Sequence, residues 1–129
     1  MRHVVALDFD GTLSDYGGGE HFSNEQIGPP IAGMKKVVEL LQVGGAEVVV
    51  FSARAGTAAG VHAIQGWLKE HGFPALKVTA KKLPAIRVIL DDRAMAFEPA
   101  MAKDPAALAR RLLDFQPHYR RKKGAWPGV

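Results

Sequence analysis

Short apolar runs rich in β-branched residues alternate along the chain with stretches whose apolar positions recur at helical spacing. That alternation predicts βαβ units, and with them a three-layer α/β/α Rossmann-like domain around a mainly parallel central sheet. The first strand is expected over 3–7, followed by "SDYGGGEHFSNEQIGPP" (14–30), polar and glycine-rich, which reads as a loop with a short hairpin flap and no core. From Pro30, the positions Ile31, Met34, Val37, Val38 and Leu41 form one helical stripe, with Pro30 suited to the first turn and Gly44-Gly45 as the stop. "AEVVVF" (46–51) is a continuous apolar strand of the kind buried on both faces in parallel sheets. A second helix follows over about 58–71, with Val61, Ile64 and Leu68 inward and Gly72 as its end. Strands are then expected over 75–79 and 86–90, and Asp104 ahead of Pro105 caps a last helix running to Leu113.

Length adds that one compact domain is expected, since a chain of 129 residues buries roughly two thirds of its unfolded surface without staples. We place that domain over 1–116 and a basic, flexible tail over 117–129, with no internal repeat. The absence of cysteine excludes disulfides and thiolate metal sites, so a bound metal would need oxygen or imidazole ligands. The first apolar run starts within three residues of Met1 and ends in aspartates, unlike a signal peptide or a membrane span. A cytoplasmic protein without a membrane partner is expected. The formal charge is only +4, and "HYRRKKG" (118–124) carries four cations in a row, which would leave the rest nearly neutral.

The polar residues at strand ends change the picture most. The first run, "VVALDFDGTL" (4–13), ends in Asp8 and Asp10; the second ends in Ser52; the fourth ends in Asp91-Asp92. In open parallel sheets ligands bind beyond the carboxyl ends of the strands, so these residues should converge on one site. Aspartates capping a turn would account for Asp10-Gly11 alone. Turn chemistry does not account for a second pair of carboxylates and a hydroxyl at other strand ends.

These residues resemble those of the haloacid dehalogenase-like (HAD) phosphatases. "DFDGT" (8–12) resembles the family's first motif, "VVVFSAR" (48–54) the second with Ser52 in the hydroxyl position, and "VILDD" (88–92) the acidic fourth. The third motif is a lysine, for which "TAKKLP" (79–84) offers Lys81 and Lys82. The resemblance spans residues 4 to about 97 in the family's order. It implies a magnesium-dependent phosphomonoester hydrolase in which Asp8 forms an aspartyl-phosphate. Asp10 would serve as acid and base, and as a metal ligand through its backbone carbonyl. It further implies that Asp8 and either Asp91 or Asp92 bind Mg²⁺ and that Ser52 and one lysine contact the phosphoryl group. Gly11 lets the chain turn, and the amides after it, with Thr12, face the phosphate. Family members acting on carbon–halogen or carbon–phosphorus bonds usually lack the second aspartate, so Asp10 favours phosphate esters.

The physical logic agrees with the resemblance. A carboxylate attacks a phosphate ester only once cations offset their mutual repulsion, and a hard divalent ion suits an all-oxygen site. Arg54 and Arg93 adjoin the motif residues, either to bind substrate or to pair with the local carboxylates. The five histidines, His3, His21, His62, His71 and His118, show no ligand spacing. Neither interval between motifs has room for the cap domain many family members carry. An open site suits a phosphate on a macromolecule, or a small substrate closed off by a second subunit of a homo-oligomer. Two alternatives follow: a polynucleotide-end phosphatase or phosphotransferase using Arg120, Arg121, Lys122 and Lys123 with Tyr119 and Trp126, and a metal-binding regulatory protein without turnover.

Overall fold

The computed structural model describes residues 3–15 and 23–119. His21, the four cations 120–123 and Trp126 lie outside the described residues. By contacts the chain divides into two compact units, Met1–Asp91 and Asp92–Val129.

The first unit holds the sheet. Strands β1 (Val4–Asp8), β2 (Glu47–Phe51), β3 (Lys77–Thr79) and β4 (Ile86–Leu90) are all parallel and lie in the order β3-β2-β1-β4. The expected α/β, Rossmann-like class is therefore what the chain adopts. The crossovers are made by helix α1 (Met34–Val43), between β1 and β2, and helix α2 (Ala58–Glu70), between β2 and β3. The second strand-to-strand interval holds only a 3-10 turn, Ala53–Gly56, and α2 before β3.

Alternation along the strands decides what is buried. Leu7 of β1 and Val48 and Val50 of β2 join Val38 of α1 and Ile64, Trp67 and Leu68 of α2 in one apolar cluster. Phe9, just past β1, belongs to the same cluster and meets Trp67 edge to face at a centroid distance of 4.9 Å. Such a contact adds about 0.5–1.5 kcal/mol beyond area burial. Because successive side chains alternate, anchoring Phe9 in the core turns Asp8 and Asp10 away from it.

Several boundaries differ from those read in the sequence. The first helix starts at Met34, not at Pro30, because the preceding residues bond elsewhere: Pro30 bridges Ser14, and the Ile31 N–H donates to the Leu13 carbonyl at 2.8 Å. Gly33, at φ 91°, is left-handed and ends that stretch. The helix consequently turns Val38 fully inward and leaves Val37 at 37% exposure. The third strand shortens to Lys77–Thr79 because it pairs with β2 only from Val49 to Phe51. Among the described residues β4 lies at one edge of the sheet. The segment expected to hold no core contributes Ser14, fully buried, and Ile27, packed on the cluster. The Gly28 carbonyl in that segment also accepts from Trp67 Nε1 at 2.9 Å.

The second unit contains a 3-10 turn, Pro99–Lys103, and helix α3 (Pro105–Leu113), capped by Asp104, whose side chain accepts from the Ala107 N–H at 3.1 Å. Here the expected tail begins inside packed structure. Pro117 and Tyr119 are buried, and Arg93 Nε donates to the Tyr119 hydroxyl at 2.9 Å. Tyr119, at 2% exposure, has no ring face to stack on a base. Among the described residues no helix is long and apolar enough to cross a membrane.

Candidate active site

Strand register brings the motif residues of the first unit together. β1 and β4 pair with Leu7 opposite Leu90, so Asp8 and Asp91 are the next positions on neighbouring strands. Their carboxylates offer ligand oxygens within 4.8 Å of one another, and both side chains are partly buried. On the other side of β1, Asp8 lies opposite Phe51, which puts Ser52 one step past the end of β2. Asp92 follows Asp91 along the chain and opens the second unit, where its Oδ2 lies 3.8 Å from Arg93 Nε.

Asp8, the last residue of β1, and Asp91, one residue past the end of β4, offer oxygen donors of like charge, the ligand type of a hard cation. At that separation two carboxylates repel by roughly 3 kcal/mol at an effective dielectric near 20. A divalent cation between them reverses the sign of that interaction.

After Asp8 the chain leaves the sheet in a tight turn. Gly11, buried and at φ 89°, adopts the left-handed conformation that a side chain disfavours. The turn is closed on itself: the Gly11 N–H donates to the Ser14 carbonyl at 2.9 Å, and those of Thr12, Leu13 and Ser14 all donate to the Phe9 carbonyl. The expectation that the amides after Gly11 face a phosphate is corrected here, because these donors satisfy carbonyls of the turn. Thr12 itself is buried at the same turn.

Ser52 is 4% exposed. Its N–H donates to the Thr79 carbonyl at 3.0 Å, and its Oγ accepts from the Arg54 N–H at 3.2 Å as the cap of the short 3-10 turn. With one acceptor position of the oxygen fixed by a backbone donor, the hydroxyl is oriented and keeps its own proton to donate.

Arg54 is the main feature that sequence reasoning left open. Its guanidinium grips Asp10 in a two-pronged pair, Nε to Oδ2 at 2.7 Å and Nη2 to Oδ1 at 2.9 Å. Nη1 donates to the Ser23 carbonyl at 2.6 Å and to Asn24 Oδ1 at 3.4 Å. The Arg54 side chain is 1% exposed and that of Asp10 15%. Of the two roles expected for Arg54, pairing with a local carboxylate is the one seen. Ser23 and Asn24 were not singled out from the sequence; they are 30 or more positions away from Arg54, and nothing in a polar loop marks the two residues that will meet it.

Lys81 and Lys82 both sit exposed in the bend after β3, where the Lys81 N–H donates to Thr79 Oγ1 at 3.0 Å. After Lys82 the Leu83 carbonyl accepts from the Ile86 N–H, closing a tight turn into β4. Arg93, in the second unit, has 60% of its side-chain surface exposed beside Asp92. Among the described residues His3, His62, His71 and His118 join no cluster of metal-ligating side chains; Asp8 and Asp91 belong to the one that is found.

A scan against protein-family models finds no match, and neither does a search of curated proteins. Among solved structures, the chain is similar to a conserved protein coded by a locus of Bacteroides thetaiotaomicron, with a TM-score of 0.55 at 20% identity, over 88% of this chain and 92% of that one. A likeness at that identity carries the fold, an α/β domain, and leaves the chemistry to the residues themselves.

Proposed function

We propose that the protein is a Mg²⁺-dependent phosphomonoester hydrolase of the HAD type. The observation that carries this reading is the meeting of Asp8 and Asp91 at the carboxyl ends of adjacent parallel strands, their oxygens within 4.8 Å, beside the buried hydroxyl of Ser52. In this reading Asp8, the Asp10 backbone carbonyl, and Asp91 or Asp92 hold the cation. Bound there, Mg²⁺ supplies positive charge against the phosphate oxygens and the attacking carboxylate.

Each remaining step belongs to a side chain. Asp8 attacks phosphorus and the ester oxygen departs, taking a proton from Asp10; Asp10 then removes a proton from the water that hydrolyses the aspartyl-phosphate. Ser52 donates its hydroxyl proton to a phosphoryl oxygen, a preorganised donor of the kind worth about 10²-fold or more in rate. One of Lys81 and Lys82, both long and exposed in this structure, brings its ammonium to the same group. With no family model matched, it is the constellation of side chains, rather than kinship, that supports the assignment.

The direct test is release of phosphate from 4-nitrophenyl phosphate with Mg²⁺ and with chelator, for the wild type and Asp8→Asn. Metal-dependent release that disappears in the variant is expected. Release by Asp8→Asn at the wild-type rate would remove Asp8 from the mechanism. A wild type without any release, on aryl or alkyl phosphates, would favour a metal-binding regulatory protein.

A further inference from the structure

Arg54 is fixed at its backbone as firmly as at its guanidinium. Its N–H donates to Ser52 Oγ at 3.2 Å, and its carbonyl packs against Gly60 in α2 so closely that a methyl group at Gly60 would collide with it. The side chain leaving this clamp is buried, and it meets both oxygens of Asp10. A guanidinium kept from water is costly unless its donors are matched, and here Nε and Nη2 face a carboxylate while Nη1 faces the 23–24 turn. One residue thereby ties the hydroxyl after β2 to the second carboxylate after β1.

We propose that Arg54 is a positioning residue for Asp10: its two-pronged grip sets the orientation in which Asp10 hands a proton to the departing ester oxygen. The inference rests on the phosphatase reading and adds to it a role for a residue that need not touch substrate. As the phosphorus–oxygen bond breaks, its electron pair stays on the leaving oxygen, which takes the proton from Asp10. Nε and Nη2 hold both carboxyl oxygens of Asp10, which fixes the orientation of that group. The Ser23 carbonyl and Asn24 complete the device by aligning Nη1, which fixes the plane of the whole guanidinium.

A leaving group that departs readily as an anion needs no proton, whereas an alkoxide does. Loss of Arg54 should then harm alkyl phosphates far more than aryl phosphates, a discrimination that general loosening of the fold would not produce. The experiment compares kcat and KM for 4-nitrophenyl phosphate and for a simple alkyl phosphate in wild type, Arg54→Lys, Arg54→Ala and Asp10→Asn. Lysine keeps the charge and loses the fork, so Arg54→Lys serves as the test if Arg54→Ala does not fold. Expected is a fall in kcat/KM, which reports the steps up to departure of the leaving group, at least about tenfold larger on the alkyl substrate for Arg54→Lys, in the direction shown by Asp10→Asn. Partial recovery of folded Arg54→Ala by added guanidinium ion at low millimolar concentration is also expected. Equal losses of kcat/KM on both substrates, or none, would overturn the positioning role while leaving the phosphatase reading intact. A wild type inactive on both substrates would overturn the two together.

Discussion

Asp8 and Asp91 stand side by side at the ends of β1 and β4, with ligand oxygens within 4.8 Å, although 82 residues separate them in the chain. The sheet register, not a local turn, makes this pair. Two like charges so placed repel, and a cation that joins them should stabilise the fold. With Mg²⁺ at about 100 times its dissociation constant the wild type should gain about 2.7 kcal/mol, and Asp91→Asn should gain much less. Thermal melts of both proteins across a Mg²⁺ titration check this. An undiminished Mg²⁺ response in Asp91→Asn would show that Asp91 does not serve the metal.

Ser52 is asked to do two things, to hold the Arg54 turn and to meet the phosphoryl group. Ser52→Ala leaves the Arg54 N–H without its acceptor, which should cost about 1 kcal/mol of stability, and removes a donor whose loss should lower kcat about 10²-fold. Ser52→Thr keeps the hydroxyl and should recover most of both. Denaturant melts and steady-state kinetics on the same preparations separate the two effects; a stability loss without a kinetic one would leave Ser52 a structural cap only.

The lysine proposed to contact the phosphoryl group is one of two neighbours. Since Lys81 and Lys82 are both exposed, neither Lys81→Ala nor Lys82→Ala should change the melting temperature beyond about 0.5 kcal/mol equivalent. One of the two should lower kcat by about 10²-fold and the other should leave it unaltered. Single-variant kinetics assign the residue, and full activity in both would exclude a lysine from this bend.

Tyr119 belongs to the packed part of the second unit, its hydroxyl accepting from Arg93 Nε at 2.9 Å. Tyr119→Phe should therefore cost about 1 kcal/mol, and Tyr119→Ala roughly 3 kcal/mol, through lost hydrogen bonding and burial respectively. Oligonucleotide binding, if any, should not depend on the Tyr119 ring. Binding measured by fluorescence anisotropy at rising salt, for wild type and Tyr119→Leu, checks the second point: a weakened, salt-sensitive complex in the variant would reinstate an interface at this residue.

Much of this was legible in the sequence because it follows from period and punctuation. The strand at Ile86–Leu90 and the helix from Pro105 to Leu113 fall where alternation, Asp104 and the following proline placed them. So does the convergence of Asp8, Ser52 and Asp91 at strand ends, which needs only the rule that parallel strands deliver their carboxyl ends to one side. What was not legible depends on partners far apart in the chain. Helix α1 starts late because the residues from Pro30 to Ile31 bond to Leu13 and Ser14, which no local periodicity reveals. Arg54 stands two residues after Ser52, but its meeting with Asp10 depends on where β1 and β2 place them, 44 positions apart in sequence. The one local hint was Gly60 in a helix interior, an expensive residue there unless another backbone must come close.

The central claim is that Asp8 is a nucleophile toward phosphorus, and the most direct measurement is to look for the phosphoryl group on it. Asp10→Asn, incubated with 4-nitrophenyl phosphate and Mg²⁺ and quenched in acid, should accumulate the intermediate, because departure of an aryl oxide proceeds without a proton while hydrolysis lacks its base. Peptide mass spectrometry should then find a hydroxylamine-labile phosphoryl group on the peptide bearing Asp8, absent in chelator and in the Asp8→Asn, Asp10→Asn double variant. Turnover by the wild type with no phosphoryl group trapped on that peptide, in the variant or in the wild type, would contradict it.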